Sequence, residues 1–157
     1  MDALVTYRIE RVAQPTQDVL DLITRHVQAM ASETPEESCH AMRADDLFAS
    51  DASLFVLKAD EKTLGMGAIK PLQHDHAELK SMHTISQARG RGIGNALLEH
   101  MLNAARSMGM SRVSLETGSD DAFAPARRLY ERHGFVECPP FGDYVEDPYS
   151  VFMTRSL

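Results

Sequence analysis

Only two cysteines occur in the chain, Cys39 and Cys138, far apart and in no C-x-x-C pair. That excludes a disulfide framework and predicts two free thiols in a reducing cytoplasm. The seven histidines show no zinc spacing, and His74 and His76, which flank an aspartate in a turn, do not make a metal site, so no metal is expected. No hydrophobic run approaches the length of a membrane span. The opening MDALVTYRIERV has no signal-peptide core, so a cytoplasmic protein with no membrane partner is expected. Positive charge is also in short supply. The formal net charge is -7, and an acidic surface argues against a nucleic-acid partner while leaving room for a cationic amine. There is no Gly-Lys-Ser/Thr triplet for a P-loop. A dinucleotide fingerprint also fails, because counting G-x-G-x-x-G from Gly90 ends on Asn95.

What is present fits an ordinary globular chain. With 157 residues, 43% hydrophobic and 25% charged, a single domain over 1–157 can bury a sizeable core. Tyr7 to Val12 alternates as a first strand. A helix follows from Pro15-Thr16, with Val19, Leu20, Ile23, Val27 and Met30 as its apolar stripe and His26 off the stripe on the surface. Thr34-Pro35-Glu36-Glu37 predicts a second short helix through about Met42. Leu54–Ala59, Thr63–Lys70 and Ala77–Thr84 read as three antiparallel strands, and Gly65 and Gly67 inside the second imply a bulge or a close backbone approach. Arg112–Thr117 is the next strand, parallel to the one before it because a helix crosses over between them. Asp120 or Asp121 starts another helix, which Gly134 ends. Phe135–Cys138 and Ser150–Thr154 form a last strand pair around the loop PPFGDYVEDP.

The centre of the chain is Glu78 to Gly94, ELKSMHTISQARGRGIG. A strand runs into a glycine-rich turn, and Ile93, Leu97, Met101, Ala104 and Met108 then recur at helical spacing. Such a turn is an anion site: its backbone N–H groups point outward, glycine lets a phosphate come close, and the helix dipole favours negative charge. Arg89 and Arg91 add charge-assisted donors.

Arg89, Gly92 and Gly94 fit R-x-x-G-x-G, and the stretch resembles the pyrophosphate loop of the GNAT superfamily of N-acetyltransferases. A second motif, FAPARRLYERHGF over 123–135, resembles that family's N-x-x-A-x-x-L-Y-x-x-x-G-F, with Phe123 in place of the usual Asn and Pro125 inside it. The segments ELKSMHT, SLETGSDDAFAPARRLY, CPPFGDY and DPYSVFM extend the resemblance to a bacterial YsnE-like branch. The resemblance implies a mixed, mostly antiparallel α/β sheet with a parallel splay between the fourth and fifth strands and helices on both faces. It implies acetyl-CoA as acyl donor and an amine acceptor, on a small molecule, an amino acid or a protein. It leaves a homodimer open.

The same resemblance distributes roles. Arg89, Gly90, Arg91, Gly92, Ile93, Gly94 and Asn95 would hold the pyrophosphate. The backbone of Met82, His83 and Thr84 would pair with the pantetheine amides, and Phe123 would stand where the Asn holds the arm of the donor. Tyr130 would protonate the leaving thiolate, since a phenol of pKa roughly 10 is protonated at neutral pH. Glu78 is the first candidate base, placed by period-two alternation on the same face as Met82; Glu116 and water stay open as alternatives, as does His83, which alternation points away from Glu78. Glu116, on the neighbouring strand, would bind the ammonium, so that two carboxylates divide the work. The alternative is a non-catalytic acyl-CoA-binding module that senses the CoA pool or regulates a partner.

Overall fold

The computed structural model describes residues 6–157. Seven strands form one mixed sheet in the order β1-β2-β3-β4-β5-β7-β6. They are β1 (Tyr7–Arg11), β2 (Ser53–Ala59), β3 (Lys62–Pro71), β4 (His76–Thr84), β5 (Arg112–Gly118), β6 (Val136–Cys138) and β7 (Ser150–Ser156). The helices are α1 (Gln17–Glu33), α2 (Ala44–Ala49), α3 (Ile93–Ser107) and α4 (Ala124–Arg132). β2, β3 and β4 make the expected meander, and β4 and β5 are parallel across α3. Among the described residues no helix is long and apolar enough to cross a membrane.

The core forms where helix stripes meet the sheet. Ile93, Leu97, Leu98, Met101, Leu102 and Ala105 bury one side of α3. Met108, expected on that stripe, sits exposed at the helix end. Gly65 and Gly67 explain how closely α3 lies on β3. A Cβ at Gly65 would meet Ile93 and Leu97, and one at Gly67 would meet Met101 and Met82. Glycine is the residue type that leaves this room in a strand.

Two irregularities in β4 shape the cleft beside it. Its parallel pairing with β5 ends at Leu79 with Leu115, although β4 continues to Thr84 and β5 to Gly118. The two strands therefore part. At the same place β4 carries an extra residue. Ala68 pairs with Lys80 and Met66 with His83, so three steps on β4 match two on β3. Ser81 absorbs the excess in the left-handed region, at φ 57°.

This bulge overturns the expected alternation. Residues paired across strands share a face, so Glu78 (with Lys70), Lys80 (with Ala68) and His83 (with Met66) all lie on one face of β4. Met82 instead joins Gly67 and Met101 on the α3 face. Glu78 and Met82 are thus on opposite faces, and His83 is on the side of Glu78. Alternation assumes one residue per pleat, and the bulge breaks that count.

The segment after α1 also differs from expectation. Only a single 3-10 turn, Glu36–Ser38, forms where a helix through Met42 was expected, and α2 begins later, at Ala44. Pro35 sits outside that turn and backbone 39–43 stays extended or irregular. His26 is not a surface residue: it is 6% exposed and shares the buried side of α1 with Val19, Leu22 and Ile23.

Candidate active site

The parted strands open into a cleft of about 670 Å³ that runs from the N-terminus of α3 to the loop between β6 and β7. One end is made of backbone and cations. A 3-10 turn (Ser86–Ala88) leads to Gly90 and Gly92 at φ 81° and 79°, and Gly92 caps α3. A Cβ at either glycine would meet nothing within 4 Å, so the turn has open space in front of it. Arg89 lines this end, as do Arg128 and Arg132 of α4. Asn95 also lines it and is bonded through Oδ1 to His133 Nε2 at 2.6 Å.

The other end is made of side chains from distant segments. Glu78 is 5% exposed; its Oε2 accepts hydrogen bonds from Lys80 Nζ at 3.1 Å and from Tyr144 Oη. Lys80 Nζ also donates to Tyr144 Oη at 2.9 Å. Tyr144 reaches in from the loop before β7 and stacks edge-on against His40, with ring centres 5.0 Å apart. Ser38 Oγ donates to Asp147 Oδ2 and ties the same two segments together. Burial and the Glu78 carboxylate raise the Tyr144 hydroxyl far above an ordinary phenol.

Glu116 lines the same cleft on the face that carries Glu78, because Ser114 pairs with Glu78 and Glu116 is two residues on. Among the described residues no ion pair reaches it. Burial raises its pKa above the ordinary carboxylate value; the neighbouring Ser150 hydroxyl, His40 and Lys80 work the other way, and nearby Glu78 adds to the rise. That Ser150 Oγ is buried and finds no hydrogen-bond partner of good geometry. Tyr130 is buried beside Phe135, and its hydroxyl is raised by burial and then by the Glu116 charge. It therefore carries its proton at any physiological pH.

Under the strand, His26 Nδ1 and His83 Nδ1 are 3.1 Å apart, so one ring donates and the other accepts. Both are pushed down to about 4, each first by burial; for His26 the His83 ring and Lys80 add to this, and for His83 Arg89 and Arg25 do. At neutral pH both are uncharged.

The expected residues come together with one exception. Glu78, Met82, His83, Thr84, Arg89, Gly90, Gly92, Ile93, Gly94, Asn95, Glu116, Phe123 and Tyr130 all border the cleft. Arg91 lies elsewhere, in a separate depression with Asp18, Asp21 and Asp60. The turn between Gly90 and Gly92 sends its side chain to the other side. Phe123 packs on Gly118 so closely that a Cβ at Gly118 would overlap its ring. Tyr144, His40, Arg128 and Arg132 were not singled out from the sequence. The two arginines flank the motif tyrosine, two residues to either side, and that spacing was available; Tyr144 ends the CPPFGDY segment of the resemblance, which gives it no role.

Comparison with known proteins agrees with this geometry. A family model described as "Acetyltransferase (GNAT) family" matches residues 18–135. YsnE of Bacillus subtilis, described as an uncharacterized N-acetyltransferase, is 40% identical over 90% of this chain and 93% of its own. YedL of Escherichia coli, described in the same terms, is 34% identical over 98% of this chain and 96% of its own. An acyl-CoA N-acyltransferase fold from Klebsiella pneumoniae superposes with a TM-score of 0.78 at 25% identity, covering 96% of this chain and 97% of that one. A GNAT acetyltransferase from Elizabethkingia anophelis, solved with acetyl-CoA bound, shares the fold with a TM-score of 0.70 at 16% identity, covering 96% of this chain and 98% of its own. With a family model over most of its length and relatives matched nearly end to end, the chain belongs to the acetyltransferase (GNAT) family and is an acyl-CoA-dependent N-acyltransferase.

Proposed function

We propose that the protein transfers the acetyl group of acetyl-CoA to a primary amine held at the carboxylate end of the cleft. The observation that carries this is the parting of β4 and β5 after Leu79 and Leu115. It frees the backbone of Met82–Thr84 on one wall and leaves Glu116 on the other. The residues present fit a phosphate-bearing donor. The turn at Gly90 and Gly92 is open, the dipole of α3 points into it, and Arg89, Arg128 and Arg132 are the arginines lining the cleft. Acetyl-CoA supplies the activated acyl group, and the chain supplies position, hydrogen bonds and proton traffic.

Those proton steps need an acid and a base. Tyr130 is the acid in this reading: it is protonated, buried in the cleft wall, and near Glu116. The base was expected at Glu78. Glu78 already accepts from Lys80 and Tyr144, which spend its charge locally. Glu116 has no ion pair among the described residues and a raised pKa, and a carboxylate of that kind is the better proton acceptor near neutral pH. We therefore assign proton removal from the amine to Glu116 and the anchoring of the acceptor pocket to Glu78. Phe123 in this scheme bounds the donor channel by packing.

The test is release of CoA thiol from acetyl-CoA in the presence of single primary amines, with product mass as confirmation. Amine-dependent release with a mass gain of one acetyl group is the expected result. Release that no amine accelerates would overturn the acceptor class.

A further inference from the structure

The kind of amine can be read from the charge laid out along the cleft, given the acetyl-transfer reading on which this rests. Among the described residues, the three arginines that line the cleft, Arg89, Arg128 and Arg132, stand with the glycine turn or on α4. The acceptor end has one lysine among them, Lys80, and it is not available. Its ammonium is 3.1 Å from Glu78 Oε2 and 2.9 Å from Tyr144 Oη, and its side chain is 12% exposed. Glu78 and Lys80 cancel each other there. Glu116 remains without an ion pair of its own, eased only from a distance by His40 and Lys80, with Glu33 on the rim at the end of α1.

We infer that the acceptor is an amine without a carboxylate beside it, and that α-amino acids are selected against by charge. An ammonium entering this end meets Glu116. The carboxylate of an amino acid would meet the same Glu116, and the one lysine that could offset it is already engaged. Desolvated like charges placed together cost enough to suppress a wrong ligand, whereas the matching amine gains. The apolar neighbours Ala29, Met30, Ala41 and Met42 accept a hydrocarbon body in place of the missing carboxylate.

Matched acceptors test this directly. Tyramine, tyrosine and tyrosinamide share one body, as do agmatine, arginine and argininamide; the amide keeps the bulk and removes the charge. With wild-type protein and acetyl-CoA, kcat/KM should be at least about tenfold higher for the amine than for the acid, with the amide close to the amine. Glu116→Gln should pull the amine-to-acid ratio toward one, because a shared catalytic defect cancels in the ratio. Lys80→Met should widen it. An acid as good as its amine, with all three turned over, overturns the charge selection and leaves acetyl transfer standing. An amide as poor as the acid also overturns it, since bulk would then be the cause. If acetyl-CoA raises the melting temperature but none of the six compounds releases CoA, the acetyl-transfer reading fails and this inference falls with it.

Discussion

The donor end of the cleft comes largely from one continuous stretch, Met82 to Asn95, whereas the acceptor end is assembled from β4, β5, the segment after α1 and the loop before β7. The first works through backbone N–H groups and glycine conformation. The second works through side chains that meet only after folding: Glu78 and Tyr144 are 66 residues apart in sequence, and Ser38 and Asp147 are 109 apart. An end built from backbone is tolerant of side-chain change except at its glycines. An end built from side chains is retuned by single substitutions. The difference explains how one fold keeps its donor while its acceptors vary.

Substitutions confined to one end should leave the other intact. The largest effect is expected at the junction between them. Tyr130→Phe should lower kcat by about 10²–10⁴-fold with acetyl-CoA affinity little changed, read by steady-state kinetics beside a thermal shift. An undiminished kcat would confine Tyr130 to its packing against Phe135.

The two carboxylates should then separate by sign. The folded pKa of Glu116 lies above the ordinary 4.5, so the folded state holds a proton that the unfolded chain has released, and stability falls as pH rises through that window. Glu116→Gln should therefore raise the melting temperature at neutral pH, with the gain shrinking as pH falls toward 4.5. The same substitution should cost about 10²-fold in rate and remove the limb that climbs with pH through the folded pKa. Glu78→Gln should do the reverse to stability. It leaves Lys80 buried without its counter-charge, at a cost of about 1–3 kcal/mol. Melting curves of both variants across pH decide this. If both shift the same way, the division of labour is wrong.

Gly92→Val addresses the donor end alone. A β-branched residue at φ 79° is strained by about 1–2 kcal/mol, and its side chain would fill the open space before the turn. Acetyl-CoA affinity, measured by calorimetry, should drop by about tenfold or more. The amine-to-acid preference should survive in whatever activity remains.

The smallest effect concerns the histidine pair. Its folded pKa values near 4 lie below the ordinary 6.5, so the unfolded chain takes up protons first as pH falls. The stability tied to the uncharged pair is intact above 6.5 and is lost progressively toward 4. His26→Gln should flatten the melting temperature across that interval by a few degrees. A variant as acid-sensitive as the wild type would remove the pair as the cause.

Most of the fold was legible because it is written in local patterns. The meander, the parallel crossover and the α3 and α4 motifs each need only neighbours in sequence, although Asp120 caps a 3-10 turn (Asp121–Phe123) ahead of α4 and not α4 itself. The donor turn was legible for the same reason. His26 was misplaced because five apolar residues define an α1 stripe without it, whereas Leu22 and His26 itself occupy the buried side. The role of Tyr144 went unseen because its partners lie far off in sequence, on β4 and in the segment after α1. The side of His83 was misjudged because alternation counts residues, and Ser81 adds one that no residue type advertises.

That added residue makes β4 two strands of opposite parity joined end to end. Upstream of Ser81 the even positions, Glu78 and Lys80, look toward the acceptor; downstream it is the odd position, His83, that takes that side. Deleting Ser81 would restore one phase throughout. His83 would stay opposite Met66 and beside His26, because three steps on β4 would become the two that β3 offers; what would be lost is the left-handed kink at Ser81. The bulge is thus a joint that bends the β4 backbone while every side chain keeps its face. It lets the first half of β4 change its side chains for a new acceptor while the second half keeps presenting the same backbone to the same donor.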